Sequence, residues 1–153
     1  MKLALHLLPL FVVIAARWVA WHEQKILRHG VPLTPKSMAD ATRMGVAHPE
    51  KIRLMRVDAI PALNGRLMTM LARWVPEISA NTVGLTLGHG IYIRSPWWGN
   101  RHLIAHECVH TGQYERYGSA AAFLTAYFTQ CIQDGYPAAA MEQEAILRSA
   151  EIS

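Results

Sequence analysis

The spacing of apolar and polar positions predicts helices toward both ends of the 153-residue chain and strands in its middle. Residues 3–29 favour one long apolar helix. Residues 52–57 alternate between apolar and polar side chains, which is typical of a half-buried strand. The runs 82–87 and 91–94 flank Gly88-His89-Gly90, and this arrangement predicts a β-hairpin.

Local signals for helix ends define the remaining helices. Thr34-Pro35 supplies a cap and a first-turn proline for a helix that ends at Gly45. Asn100 can cap a helix over residues 101–117, and Gly118 offers a left-handed stop after it. Further helices are predicted over residues 67–74, 120–132 and 138–150. The expected fold is therefore α+β, mostly helical, with a small antiparallel sheet or hairpin and an N-terminal apolar helix.

The helix over residues 101–117 contains an H-E-x-x-H motif, His106-Glu107-Cys108-Val109-His110. Positions i and i+4 lie one above the other on a helix, so the two imidazoles can bind one metal ion. A glutamate beside the first histidine can act as general base on a water at that metal. The motif predicts a zinc site with His106 and His110 as ligands and Glu107 as the catalytic residue.

A third ligand is needed, because catalytic zinc usually has three protein ligands and one open position. The metzincin motif would continue with a glycine and a histidine, but Gln113 and Arg116 occupy those places. A glutamate from a later helix can complete the site instead, and the segment of residues 141–145 supplies one. Two histidines and one carboxylate form a ligand set that suits Zn²⁺.

The stretch from His106 to Ala145 resembles gluzincin-type zinc metallopeptidases, in particular small bacterial proteins of that type. In those proteins H-E-x-x-H is followed by Gln-Tyr, an apolar helix, Gly-Tyr and an E-x-E-A segment. The matching pieces of this chain are Gln113-Tyr114, Gly135-Tyr136 and Glu142-Gln143-Glu144-Ala145. The resemblance covers the C-terminal third of the chain, while residues 84–87 and 91–94 match more loosely.

This resemblance implies a zincin-like catalytic domain over residues 30–153, preceded by the N-terminal apolar helix of residues 1–29. It also implies a metallopeptidase that cleaves a peptide or protein substrate with Zn²⁺, and it makes Glu142 the third ligand. Ile146 stands where the family has an aspartate that orients a metal-bound histidine. Glu144 or a backbone carbonyl could take over that role.

Other features near the motif each allow two interpretations. His102, one turn before His106, could bind the metal or lie at the surface near the mouth of the cleft. Tyr114 and Tyr117 could donate a hydrogen bond to an oxyanion or pack against the following helix. The hairpin of residues 85–93 could pair with an extended substrate through its edge strand, or it could simply belong to the core.

Composition narrows the possible partners. The formal charge is +4, but the basic residues are scattered and not interleaved with aromatic ones, so no nucleic-acid partner is predicted. The two cysteines, Cys108 and Cys131, do not make a disulfide framework and are expected to lie in the core.

The alternative to a peptidase is a zinc-stabilised module that binds or regulates another molecule without cleaving it, with possible membrane association.

The N-terminal apolar stretch leaves three interpretations open: a packed helix, a signal anchor and a cleaved signal. Its uninterrupted run from Leu7 to Ala16 is short for a membrane span, which needs about 20 residues, although continuation to Trp21 would allow a tilted span. A helix that contacts a membrane through residues 3–21, or packs on the core, is favoured over cleavage. The protein is therefore expected to be membrane-associated or cytoplasmic rather than secreted.

Overall fold

In the computed structural model, which describes residues 2–61 and 82–152, helices surround a small sheet. The helices of these residues are α1 (Lys2–His29), α2 (Pro35–Arg43), α3 (Arg101–Tyr117), α4 (Ala120–Asp134) and α5 (Ala140–Ser149). The strands are β1 (Val31–Pro32), β2 (Arg53–Val57), β3 (Gly84–Leu87) and β4 (Gly90–Arg94). The predicted α+β class and the N-terminal apolar helix are confirmed, whereas the helix predicted over residues 67–74 lies outside the described residues.

The strands form one mixed sheet in the order β1-β2-β4-β3. β3 and β4 make the predicted antiparallel hairpin, which turns at Gly88 with a φ of 66°, a backbone conformation that glycine adopts without strain. β2 pairs parallel with β4, so that Leu54 lies beside Ile91. β3 stands last in the order, and within the described part of the chain one of its edges therefore has no partner strand.

The residues that the sequence predicts as the ends of α3 do end this helix in the structure. The Asn100 side chain accepts the Leu103 N–H at 2.9 Å, and Gly118 ends the helix with a φ of 78°. Both ends of α3 therefore fall where the sequence predicts them. The apolar residues Ile104, Cys108 and Val109, which are buried in the core, set the rotation of the helix about its axis and with it the direction of the histidines.

β4 separates two apolar cores, because successive residues of a strand point to opposite faces. Tyr92 belongs to the core that α1, α4 and the start of α5 share. Ile91 and Ile93 belong to the opposite core, which contains residues of α2 and most of the buried apolar residues of α3. The motif helix is thus anchored on one face of the sheet, while α1 covers the other face.

α1 packs into the first core along one stripe. Its buried side chains recur every three or four residues and are Leu8, Phe11, Val12, Ala15, Val19, His22 and Ile26. Phe11 meets Phe128 of α4 edge to face, with ring centroids 5.0 Å apart, and His22 Nδ1 lies 2.7 Å from the Tyr92 hydroxyl. Burial, aided by the charge of Lys25, lowers the pKa of His22, so this imidazole is neutral at pH 7.

By length and composition, α1 is also apolar enough to cross a membrane from Leu5 to His29. In this structure, however, one face of the helix is covered by protein, and only its other face is exposed. Removing the helix would uncover the ring of Phe128 and the hydroxyl of Tyr92. α1 therefore contributes to the stability of the whole fold.

Two adjacent residues of α1 test this contribution. Phe11→Ala should lower the free energy of unfolding by about 3–5 kcal/mol, because it leaves a cavity beside Phe128. Leu10→Ala, at a side chain that is 59% exposed, should change it by less than about 0.5 kcal/mol. Urea denaturation followed by circular dichroism measures both. Equal effects of the two substitutions would show that α1 does not pack on the core.

Candidate metal centre

Three side chains from two helices meet at one point. His106 and His110 lie one turn apart on α3, and Glu142 lies in the first turn of α5. His106 Nε2 is 3.6 Å from Glu142 Oε2, and His110 Nε2 is 3.2 Å from Glu142 Oε1. All the potential ligand atoms lie within 4.8 Å of one another. Ligand atoms around a tetrahedral zinc ion are about 3.3 Å apart, so this spacing needs little adjustment to accept a cation.

The environment of Glu142 favours a positively charged partner. The side chain is 3% exposed, and Tyr127 of α4 donates a hydrogen bond to Oε1 at 2.7 Å. Among the described residues no group donates to Oε2, although this oxygen is buried. Burial raises the pKa of Glu142, but the two imidazoles and the Tyr127 hydroxyl outweigh this and hold the pKa well below its usual range. A buried carboxylate with one unsatisfied oxygen is what a metal ligand presents before it binds.

A glutamine fixes the orientation of His110. The Nδ1–H of His110 donates to Gln113 Oε1 at 2.9 Å. Gln113 Nε2 donates in turn to the Met141 carbonyl and to Glu144 Oε2, both at 2.9 Å. Because the amide nitrogen is occupied by two acceptors, the amide oxygen must face the histidine. The proton of the neutral imidazole therefore sits on Nδ1, which leaves the lone pair of Nε2 directed at Glu142.

The carboxylate beside His110 also affects its proton affinity. Burial lowers the pKa of His110, but hydrogen bonding and attraction to Glu142 overcome this and raise it to about 9. A proton on Nε2 and a metal ion would compete for the same lone pair. The arrangement of His110 and Glu142 can therefore bind either a proton or a metal ion.

Gln113 orients His110, a role for which the sequence suggested Glu144 or a backbone carbonyl. Ile146, which stands where gluzincins carry an aspartate, is exposed and lies outside the group of possible metal ligands. Glu144, one of the two proposed substitutes, acts through Gln113 and is itself bound by Arg116 at 2.8 Å. The signal was present in the sequence, because Gln113 follows His110 by three residues and so lies on the same face of α3.

The candidate base, Glu107, is held by the edge strand. The Thr86 hydroxyl lies 2.6 Å from Glu107 Oε2 and 2.9 Å from the Glu107 carbonyl oxygen. A Cβ atom on Gly84 would lie 2.6 Å from Glu107 Oε1, so a larger residue at position 84 would displace this carboxylate. The sequence indicated neither Thr86 nor Gly84, since both act across a contact between β3 and α3 that no local pattern shows.

A cavity of about 610 Å³ connects these residues. His106, Glu107, His110 and Glu142 line its polar side. The other lining residues are mainly apolar, and many of them come from α1, α4 and β3. They include Phe11, Trp18, Val19, Leu85, Leu124 and Phe128. A large apolar cavity with a few converging polar groups is the usual form of a binding site.

The other predicted site residues lie around this centre. His102 lines the cavity, but it falls outside the group of metal-ligating atoms, and its Nε2 is 3.5 Å from the Ser149 hydroxyl. Tyr114 is buried and stacks on Phe123 with centroids 3.7 Å apart, and the exposed Tyr117 meets the same ring edge on. Both tyrosines pack against α4, and Tyr127 of that helix donates a hydrogen bond to Glu142. 

Both cysteines lie in the core. Cys108 and Cys131 are buried and form no disulfide. Burial raises the pKa of Cys108 to about 12, so it stays a neutral thiol at pH 7 and packs as a small apolar side chain. Neither cysteine belongs to the group that could hold a metal.

The third ligand can be tested by metal analysis of purified protein. The wild type should contain about one zinc per chain, and Glu142→Ala should lose it, because a two-histidine site holds zinc poorly. Glu144→Ala should keep the metal, since Glu144 contacts the centre only through Gln113. Inductively coupled plasma mass spectrometry after gel filtration gives the ratios. If Glu142→Ala retained zinc and Glu144→Ala lost it, the third ligand would be Glu144 and the assignment to Glu142 would be wrong.

Gln113→Ala tests the support of His110. Loss of the acceptor at Nδ1 should lower zinc affinity about 10- to 100-fold, measured by competition with a fluorescent chelator. Gln143→Ala is the matched control, because the side chain of this exposed glutamine of α5 donates to the Pro137 carbonyl and not, among the described residues, to the metal centre. If both variants bind zinc as tightly as the wild type, Gln113 does not orient the ligand.

Comparisons with known proteins add no family assignment to this geometry. No family model matches the chain, and neither does any curated protein or solved structure. The resemblance to gluzincins therefore depends on the motif residues alone. What the site does is inferred from the positions of His106, Glu107, His110 and Glu142 and from the cavity that they line.

Proposed function

We propose that the protein is a zinc-dependent peptide hydrolase of the gluzincin type. The observation that carries this proposal is the convergence of His106, His110 and Glu142 on one point with Glu107 in the same cavity. Two imidazoles and one carboxylate are a usual ligand set for catalytic zinc. A purely structural zinc site would use four protein ligands, and among the described residues only these three form the group.

Zinc in such a site lowers the pKa of a water and polarises a carbonyl group of the substrate. His106 and His110 supply neutral nitrogen ligands, and Glu142 supplies the charge that keeps a divalent cation in a buried place. Tyr127 and Gln113 hold two of these three ligands by hydrogen bonds. The donor set is therefore oriented before a substrate arrives, which is a requirement of efficient catalysis.

Glu107 is the proposed general base. It accepts a proton from the attacking water and delivers it to the amine that leaves when the peptide bond breaks. The Thr86 hydroxyl donates to Oε2 at 2.6 Å and so stabilises this orientation of the carboxylate. Gly84 leaves the space in which Oε1 sits. β3 thus holds the base, whereas α5 provides the third ligand.

The shape of the cavity supports an extended peptide as substrate. β3 lines it and has no partner strand along one edge among the described residues, so its main chain can pair with a substrate strand. The apolar walls formed by Phe11, Val19 and Phe128 suit apolar side chains of that peptide. Pairing through the main chain gives affinity for many sequences, and the walls select among them.

Glu107→Gln tests the base. The variant should keep its zinc and its fold, because the amide oxygen still accepts from Thr86, but turnover should fall at least about 100-fold. Hydrolysis of a quenched fluorescent peptide library measures the rate. Glu144→Gln is the matched control and should remain active, since Glu144 lies outside the reacting group.

Removal of zinc from the wild type separates the two candidate functions. For a hydrolase, chelation should abolish turnover and zinc should restore it. A zinc-stabilised module that cleaves nothing would show only a lower melting temperature after chelation. Full activity of Glu107→Gln would exclude Glu107 as the base.

A further inference from the structure

We propose that the outward face of α1 binds the surface of an anionic lipid bilayer, with the helix lying in the plane of the membrane. The outward face is defined here by its exposed apolar residues Leu3, Leu10, Val13, Ile14 and Trp21 and by its exposed basic residues Arg17, Lys25 and Arg28. This surface lies on the side of α1 opposite to the buried stripe. The proposal is independent of the peptidase activity.

The exposure of the apolar residues is too large and too regular to be incidental. Their exposed fractions lie between 43% and 68%. Single apolar residues on a surface are ordinary, but these five lie on one side of one helix. The inner side of the same helix already supplies Phe11, Val19 and Ile26 to the core. Core packing therefore explains the inner side and leaves the outer side unexplained.

The charges on this face select the partner. Arg17 lies among the apolar residues, and Lys25 and Arg28 follow on the last two turns. The Lys25 ammonium lies 5.7 Å from the centre of the Trp21 ring. Glu23, the one acidic residue of α1, is half-buried and accepts the His89 N–H at 2.9 Å. An apolar stripe with basic residues and an exposed tryptophan is typical of helices that bind anionic lipid headgroups.

A membrane-spanning α1 would conflict with its packing. If the helix crossed a bilayer, Phe11 would leave Phe128 and His22 would leave Tyr92. Phe11, Ala15, Trp18 and Val19 also line the cavity, so a wall of the candidate site would be lost. A helix lying flat keeps all these contacts and buries only its outward face in the interface.

A second copy of the chain fits this face less well. Arg17 lies near the middle of the helix, so in an antiparallel two-fold pair it would face its own copy. In a parallel pair, each of Arg17, Lys25 and Arg28 would face the same cation of the partner. Like charges placed opposite each other oppose association. Lipid phosphates offer opposite charges instead.

Co-sedimentation of the full-length protein with vesicles tests the proposal. Vesicles of phosphatidylcholine with 30% phosphatidylglycerol should bind the wild type, and those of phosphatidylcholine alone should bind it much less. Leu10→Glu should lower the partition coefficient at least about tenfold. Arg17→Gln and Arg28→Gln should each lower it roughly fivefold, and raised salt should weaken wild-type binding. Leu147→Glu, at a leucine of α5 that is 66% exposed, should bind like the wild type.

Circular dichroism and the melting temperature confirm that each variant is folded, which is expected because every changed side chain is exposed. Equal loss in Leu10→Glu and Leu147→Glu would overturn the assignment to α1. Protein that stays in the membrane fraction after washing at pH 11 would show that α1 spans the bilayer, and would overturn the flat orientation. A concentration-dependent dimer that Leu10→Glu abolishes, without vesicle binding, would make a second copy the partner.

Discussion

The contact between Glu142 and the two imidazoles of α3 is the constraint on which the site depends. Burying a carboxylate costs several kcal/mol unless charges or hydrogen bonds replace its water. Here His106, His110 and Tyr127 replace it, so α5 cannot shift without exposing an unpaired charge. Gln113 joins the same helices a second time, through the Met141 carbonyl. The contacts that form the candidate site are therefore also the contacts that hold α5 against α3.

Much of this arrangement follows from the sequence where the cause is local. Asn100 and Gly118 mark the ends of α3 because caps need particular residues at particular places. The spacing of His106 and His110 follows from the pitch of the helix. The parallel pairing of β2 with β4 could not be foreseen, since it joins residues about forty positions apart and depends on loop closure and core packing rather than on local pattern.

The residues of the candidate site also fall into two groups, those that the sequence predicts and those that only the tertiary structure shows. The two histidines and Glu107 are legible as a motif, and Glu142 came from a resemblance. The residues that hold them, Gln113, Tyr127 and Thr86, were not foreseen in these roles. Each is a common polar residue whose role exists only once two elements meet, as when Thr86 of β3 reaches Glu107 of α3. Sequence patterns show which chemistry is possible, and tertiary contacts decide which orientation it takes.

The position of Glu142 has a consequence for biosynthesis. A ribosome releases the H-E-x-x-H helix well before the segment that carries this carboxylate, because Glu142 follows His110 by 32 residues, the difference of the two residue numbers. During that interval the nascent protein has both imidazoles and its base but no third donor. Zinc bound by two histidines alone exchanges readily. For the proposed zinc hydrolase, stable loading would therefore wait until α5 has been made and has left the ribosome, and an incomplete chain would not act on its neighbours.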